Sequence, residues 1–329
     1  MEHRTTPAVV FPEARSIEIR KVPLPLLGRT DLLVRTQLTA VSAGTELMVL
    51  RGTFPNQEFP CVVGYQQVGL VEQTGPGVDG IHVGDRVVTS SARVSPGYHS
   101  GCGMGQAGYL VVPASGCALV PDCVPDSTAV HAIMAAVGLL GYQKCGHLSG
   151  CTVAVTGQGL IGQFAAQVWR ANGNRVYASD LRRLRVELSG RHGADVAFCG
   201  PLKEFDARVR QDCPAGADVL VETSGITRVF DEALILPRHE GIVCVQGHYP
   251  YDLSFSFRRA HWKQLRMEFP CSFGGTPNLL RVLGMMATQR LVVEPLITHR
   301  LDYTEAPDAY RAILAGDPDL LGVVFEWGK

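Results

Sequence analysis

The stretch Cys151-Thr-Val-Ala-Val-Thr156-Gly157-Gln-Gly159-Leu-Ile-Gly162 decides the fold. Its first six residues are small or β-branched, as a buried strand requires, and Leu160, Ile161, Phe164, Ala165, Val168 and Trp169 then recur at helical spacing. Gly173 stands where a left-handed helix cap is expected. A strand that runs through Gly-x-Gly-x-x-Gly into a helix is the arrangement that binds a dinucleotide. Gly157 makes the tight turn, Gly159 lets the backbone approach a pyrophosphate, and Gly162 lets helix and strand pack closely. The helix start at Leu160 and Ile161 offers free N–H groups and a partial positive charge. Asp180 closes the next strand, at the spacing of an acid that takes the adenosine ribose hydroxyls and repels a 2′-phosphate, so NAD is favoured over NADP. Arg182, Arg183 and Arg185 follow directly, and an arginine there could hold that phosphate instead. The competing reading, a structural glycine turn with Asp180 as an exposed strand end, is disfavoured because spacing and context agree at each step.

The texture of the chain changes at about Cys151. Beyond it, residues 152–156, 175–179, 195–199, 218–222 and 241–246 read as strands alternating with helical patterns, the signature of βαβ units and a parallel sheet. Before about Pro121, short β-rich runs at 16–20, 32–38, 67–73, 86–89 and 109–112 are broken by Gly and Pro, and predict an antiparallel, barrel-like unit. The last segment holds a helical stretch near 278–289 and a strand-like run at 322–327, and is expected to return to the first domain.

Composition narrows the function classes. The 329 residues are 46% hydrophobic, enough for roughly two domains of about 150 residues each. Thirty Lys and Arg against 31 Asp and Glu leave a net charge of -1, so nothing draws the chain to nucleic acid or an anionic membrane. The longest apolar run, 132–142, is well short of the about 18 residues that span a bilayer, and residues 1–12 lack a signal pattern, so a cytoplasmic location is expected. The 10 cysteines are then expected to be reduced, Cys151 and Cys244 as small buried residues. No Cys-x-x-Cys occurs, which removes a four-cysteine zinc site.

Read in order, Ala40-Val-Ser-Ala-Gly-Thr-Glu46, Arg51-Gly52, Val63-Gly-Tyr-Gln66, Gly84-Asp-Arg-Val-Val88, the glycine turn, Gly193-Ala-Asp195, Asp218-Val-Leu-Val-Glu-Thr-Ser-Gly225 and Gly241-Ile-Val-Cys-Val-Gln-Gly247 resemble the medium-chain dehydrogenase/reductase superfamily. The resemblance implies an α/β fold in which a Rossmann coenzyme domain, a doubly wound parallel sheet over 136–268, is inserted in a GroES-like β-barrel catalytic domain of 1–135 and 269–329. It also adds Gln246, Gly247 and His248, where the family approaches the nicotinamide, to Gly157, Gly159, Leu160, Ile161, Gly162, Asp180 and Arg185 as expected cofactor contacts, and makes a homodimer through the coenzyme domains the default. Zinc members of the family carry a cysteine in the first motif, a Gly-His-Glu triplet in the next, and a Cys or Glu ahead of the coenzyme domain. Here Ala43, Tyr65, Gln66 and, near the third position, Ala135 stand instead, and 95–105 keeps only Cys102 of the structural-zinc lobe. A zinc-free protein is expected. A narrower resemblance, carried by Ser42-Ala-Gly-Thr-Glu46, Gly64-Tyr-Gln66, Gly247-His-Tyr249 and Leu253-Ser-Phe-Ser-Phe257, is to the bacteriochlorophyllide a dehydrogenases, which oxidise a hydroxyethyl side chain to an acetyl group.

Without zinc, hydrogen-bonding groups must manage the proton and the charge on the substrate oxygen. Thr45, Tyr65 and Glu46 are the candidates. Each has a structural alternative: Thr45 could cap a helix over 46–50, Glu46 could be a first-turn acid or an ion-pair partner, and Tyr65 could fill the vacated metal position. His131 reads as a core or helix-end group and His99 as part of a Gly-rich loop. The expected activity is NAD-dependent interconversion of a secondary alcohol and a ketone on a small-molecule substrate. The alternatives are an NADPH-dependent quinone or enoyl reductase and an inactive nucleotide-binding scaffold.

Overall fold

Strand Thr152–Thr156 is the third in a sheet of six parallel strands. The computed structural model describes residues 5–249 and 252–328. Across the sheet the order is Val196–Cys199, Arg175–Asp180, Thr152–Thr156, Ala217–Glu222, Pro237–Val245 and Arg266–Glu268. Taken in chain order, the strands step one way from Thr152–Thr156 and then the other way from Ala217–Glu222. The doubly wound switch point lies between these two. Helices cover both faces, so Val153, Ala154, Val155, Val219, Leu220 and Val221 are all fully buried and the strands read as continuous apolar runs. Helix Leu160–Ala171 buries Phe164, Ala165, Val168 and Trp169 completely, and the Trp169 ring meets Tyr142 edge-on at 5.0 Å. Each such large apolar side chain contributes roughly 1.5–3 kcal/mol. Gly173 follows with a φ of 81°, its N–H bonded to the Arg170 carbonyl, as its place in the sequence requires.

These strands belong to one of two compact units, Met134–Gly274 with Thr288–Leu296; the other comprises Met1–Ile133, Gly275–Ala287 and Ile297–Lys329. The sequence reading assigned 1–135 and 269–329 to the first domain; residues 134–135 and 269–274 group with the coenzyme-type unit instead. So do residues 288–296. Gln167 is the reason: its amide donates to the Val292 carbonyl at 3.0 Å and accepts the Val292 N–H at 2.6 Å, which holds that segment on the coenzyme-type unit.

The other unit has two sheets. One runs Glu18–Pro23, Thr5–Phe11, Cys61–Val63, His99–Gly101; the larger runs Ile297–Asp302, Gly322–Glu326, Asp31–Ala40, Gln67–Thr74, Arg86–Thr89, Cys117–Leu119, with Tyr109–Pro113 also pairing Asp31–Ala40. Pairing is mostly antiparallel, but Cys61–Val63 with His99–Gly101 and Ile297–Asp302 with Gly322–Glu326 are parallel. The sequence reading missed Thr5–Phe11, Cys61–Val63, His99–Gly101, Cys117–Leu119 and Ile297–Asp302. Several are only three residues long, too short to establish a period of two. His99 is therefore in a strand rather than a loop, its ring nitrogen 3.2 Å from the Glu58 carboxylate. Cys244 is fully buried but Cys151 is only half-buried. No helix among the described residues is long and apolar enough to cross a membrane.

Candidate functional site

In the second unit the glycine turn closes as the motif demands. Gly157 has a φ of 82° and donates its N–H to the Ser179 carbonyl at 2.9 Å. A Cβ on Gly162 would lie 1.9 Å from the Gly157 carbonyl oxygen, so the turn and the helix are in direct backbone contact. A Cβ on Gly159 would meet nothing within 4 Å, which leaves the face above the helix start open to a ligand. Leu160 turns into the core, and only its backbone N–H faces the helix start, beside that of half-buried Ile161. Free N–H groups at a helix start, beside a glycine with no side chain, fit a pyrophosphate.

Asp180 is not an exposed strand end. Its carboxylate accepts the N–H of Gln158 at 2.6 Å and of Arg182 at 2.9 Å, and the Arg185 guanidinium lies 3.9 Å away. The acid is thus fixed against the turn, 11% exposed, with an arginine that burial holds below its usual pKa. Across the switch point, Thr223 Oγ donates to the carbonyls of Thr156 and Gly157 at 3.0 and 2.8 Å. The Gln246 amide donates to the Val137 carbonyl at 2.7 Å and the residue is 8% exposed, so the side chain braces the strand end from within. Gly247 donates its N–H to the Glu222 carbonyl at 2.8 Å, and His248 is exposed beyond it. Glu222, Thr223 and Tyr249 have no place in the sequence reading beyond lying in the quoted family-like stretches. The signal that finds them is topological, because they sit at the ends of the two strands that follow the switch point.

The first unit gathers the other candidates. Helix Ala43–Arg51 begins at Ser42, and Thr45 lies inside its first turn, which corrects the reading of Thr45 as the cap. The Ser42 hydroxyl makes no cap bond. It is 2.5 Å from the Tyr65 hydroxyl, which also hydrogen-bonds Thr45. Tyr65 is half-buried, and burial raises its pKa, so the phenol stays neutral. Three hydroxyls thus converge, and Ser42 among them was missed because its place before a helix reads as an ordinary cap.

Glu46 faces elsewhere. It is fully buried, accepts the Ser42 N–H at 2.7 Å and the Tyr310 hydroxyl, and hydrogen-bonds Gln106. Burial pushes its carboxyl up to about 7 despite those donors. It forms no ion pair among the described residues, so of its expected roles the first-turn acid survives, and its bond to Tyr310 ties helix Ala43–Arg51 to helix Ala306–Ala315.

At the positions where zinc members of the resembled family hold their metal, the donors do not fit zinc. Ala43 and Ala135 have none, Tyr65 is neutral and engaged with Ser42, and the Gln66 amide is fully buried with its nitrogen on the Ala40 carbonyl at 3.4 Å. Burial and the Glu46 carboxylate push the nearby Cys102 thiol up to about 11, and no three His, Cys, Asp or Glu side chains among the described residues are grouped to hold a metal.

Comparison with known proteins agrees with this architecture. Residues 28–122 match the alcohol dehydrogenase GroES-like domain and residues 161–287 the zinc-binding dehydrogenase family. L-Threonine 3-dehydrogenase of Aeromonas hydrophila is 28% identical, over 94% of this chain and 95% of its own. Among solved structures, alcohol dehydrogenase TADH from Thermus sp. ATN1 superposes with a TM-score of 0.83 at 26% identity, over 97% of this chain and 99% of that one. 2R,3R-butanediol dehydrogenase from Bacillus subtilis shares the fold with a TM-score of 0.84 at 19% identity, over 98% and 99% of the two chains. With a GroES-like unit and a Rossmann unit matched in the order the sequence motifs run, the chain belongs to the medium-chain dehydrogenase/reductase superfamily.

Proposed function

We propose that the protein is a zinc-independent oxidoreductase that transfers a hydride between NAD(H) and a secondary alcohol or ketone. The observation that carries this reading is the Ser42–Tyr65–Thr45 hydroxyl cluster, whose Tyr65 stands at one of the positions where zinc members hold their metal. The dinucleotide supplies or accepts the hydride. Gly157 to Gly162 would hold its pyrophosphate and Asp180 its adenosine ribose. As hydride reaches the carbonyl carbon, charge grows on the substrate oxygen, and a neutral phenol at Tyr65 can donate first a hydrogen bond and then its proton. Ser42 and Thr45 would fix the phenol and relay to it a proton taken up from solvent, so that each hydroxyl loses one proton as it gains another. That L-threonine 3-dehydrogenases are among the relatives supports dehydrogenation at a secondary alcohol. The narrower likeness to bacteriochlorophyllide a dehydrogenases points to a hydroxyethyl group on a larger substrate. Strand Arg266–Glu268 is a sheet edge flanked by exposed Trp262 and Phe269, which suits a homodimer through this unit.

Steady-state assays separate the alternatives: ketone reduction with NADH supports the proposal, alkene reduction with NADPH replaces it, and binding without turnover leaves a scaffold. The purified enzyme is expected to contain no stoichiometric zinc and to keep its activity in chelator. Elemental analysis giving about one zinc per chain, with activity lost on its removal, would overturn the metal-free site.

Asp180 gives a further expectation. Asp180→Ser keeps a short acceptor for the Gln158 and Arg182 N–H groups while removing the charge, so the preference for NADH over NADPH should shrink by on the order of tenfold. If titration of the wild-type protein shows NADPH binding more tightly, the neighbouring arginines outweigh Asp180, and the alkene-reductase reading gains ground.

A further inference from the structure

Two loops meet at the strand ends beside the switch point, 223–226 after Ala217–Glu222 and 246–249 after Pro237–Val245. One buried residue holds both. The Glu222 main-chain carbonyl accepts the N–H of Gln246 at 2.9 Å and of Gly247 at 2.8 Å. Its carboxylate accepts the Ser224 N–H at 2.9 Å, the Gly225 N–H and the Tyr249 hydroxyl. The loops are in backbone contact: a Cβ on Gly247 would lie 2.7 Å from the Gly225 nitrogen, and one on Gly225 2.7 Å from the His248 carbonyl oxygen. Through Thr223, bonded to Thr156 and Gly157, the same assembly is continuous with the glycine turn.

The Ser224 side chain hydrogen-bonds the same carboxylate from loop 223–226, and Tyr249 is the side-chain donor that reaches it from loop 246–249. Its ring also meets Phe230 edge-on at 6.0 Å, a contact that a phenylalanine would keep, so the hydroxyl is not needed for packing. It answers the carboxylate, which accepts hydrogen bonds but cannot donate them and is buried away from water.

The dinucleotide reading fixes what these loops face. A pyrophosphate at the glycine turn and an adenosine ribose at Asp180 occupy the ends of Thr152–Thr156 and Arg175–Asp180, so the rest of the molecule crosses the switch point toward Ala217–Glu222 and Pro237–Val245. We infer that Tyr249, by hydrogen-bonding Glu222, is a positioning residue that latches loop 246–249 for the nicotinamide half of the cofactor and has no part in binding the adenosine half. The inference rests on the dinucleotide assignment proposed above.

Calorimetric titration of Tyr249→Phe with NADH and with ADP-ribose, which lacks the nicotinamide, tests it. NADH should bind about tenfold more weakly while ADP-ribose changes by less than about twofold, because only the nicotinamide half loses its preorganised loop. Gly247→Ala, which sets a Cβ 2.7 Å from the Gly225 nitrogen and 3.0 Å from the Glu222 oxygen that Tyr249 bonds, disturbs the same latch with Tyr249 retained, should split the two ligands in the same way and serves if Tyr249→Phe does not fold. Equal weakening of both ligands, or of neither, overturns the latch. Wild-type protein that binds neither ligand overturns the dinucleotide assignment itself, and the latch with it.

Discussion

Tyr65→Phe is expected to slow the hydride step by on the order of a hundredfold, about 3 kcal/mol, while affinity for NADH stays close to wild type. In the proposed reaction the phenol meets the developing charge, and burial, which raises its pKa, keeps it protonated through the neutral range. Phenylalanine preserves the ring and removes only the hydroxyl bonded to Ser42 at 2.5 Å, so the stability cost should be about 1 kcal/mol. Thr45→Val deletes the second hydroxyl at constant shape and should slow the same step by a smaller factor. Single-turnover kinetics, followed by the absorbance of the reduced nicotinamide, isolates hydride transfer from product release. If both variants turn over at the wild-type rate, the hydroxyls are structural and another group handles the proton.

A contrast between two glycines of one motif carries the second large effect. Gly162→Ala sets a Cβ 1.9 Å from the Gly157 carbonyl oxygen and 2.9 Å from Thr223 Oγ, so the turn or the helix must move. Overpacking of this kind costs about 1–3 kcal/mol, and a displaced turn should weaken NADH binding by on the order of a hundredfold. Gly159→Ala meets open space at a φ of -67°, which any residue adopts, so its melting temperature should match wild type. In the proposed binding mode its methyl group stands where the pyrophosphate approaches, and affinity alone should fall. Thermal melts paired with cofactor titrations check both. Equal stability and equal affinity for the two variants would mean that no ligand seats on this turn.

The coenzyme-type unit was legible because its signals are local. A buried strand, a glycine turn and an amphipathic helix are contiguous between Thr152 and Ala171, and periodicity and φ requirements at Gly157 need no distant partner. The other unit was read less fully, since strands such as Cys61–Val63 are specified by their neighbours Thr5–Phe11 and His99–Gly101 rather than by their own pattern. The candidate site divides the same way. Thr45 and Tyr65 were found through family-like motifs, but Ser42 becomes a third hydroxyl only when helix Ala43–Arg51 brings it to Tyr65. The tie from Glu46 to Tyr310 could not be read, because the two are far apart along the chain. The bond from the Gln246 amide could not be read either, because helix Ala132–Lys144 supplies its acceptor carbonyl.

Strand Gly322–Glu326 lies inside the larger sheet, between Ile297–Asp302 and Asp31–Ala40, and Glu46 and Tyr310 are 264 residues apart in sequence. This sets an order on the assembly of a growing polypeptide. All six strands of the parallel sheet have been synthesised by Glu268, whereas the 38–40 end of Asp31–Ala40 must wait for its last neighbour until residue 326 has emerged. Closing a featureless loop of that length costs about 5 kcal/mol in chain entropy, and a parallel sheet already folded inside it shortens the effective loop. Until then the nascent barrel exposes the edge of that strand at residues 38–40, the part that Tyr109–Pro113 does not cover, and an unpaired edge is where an unfinished chain is most open to pairing with another.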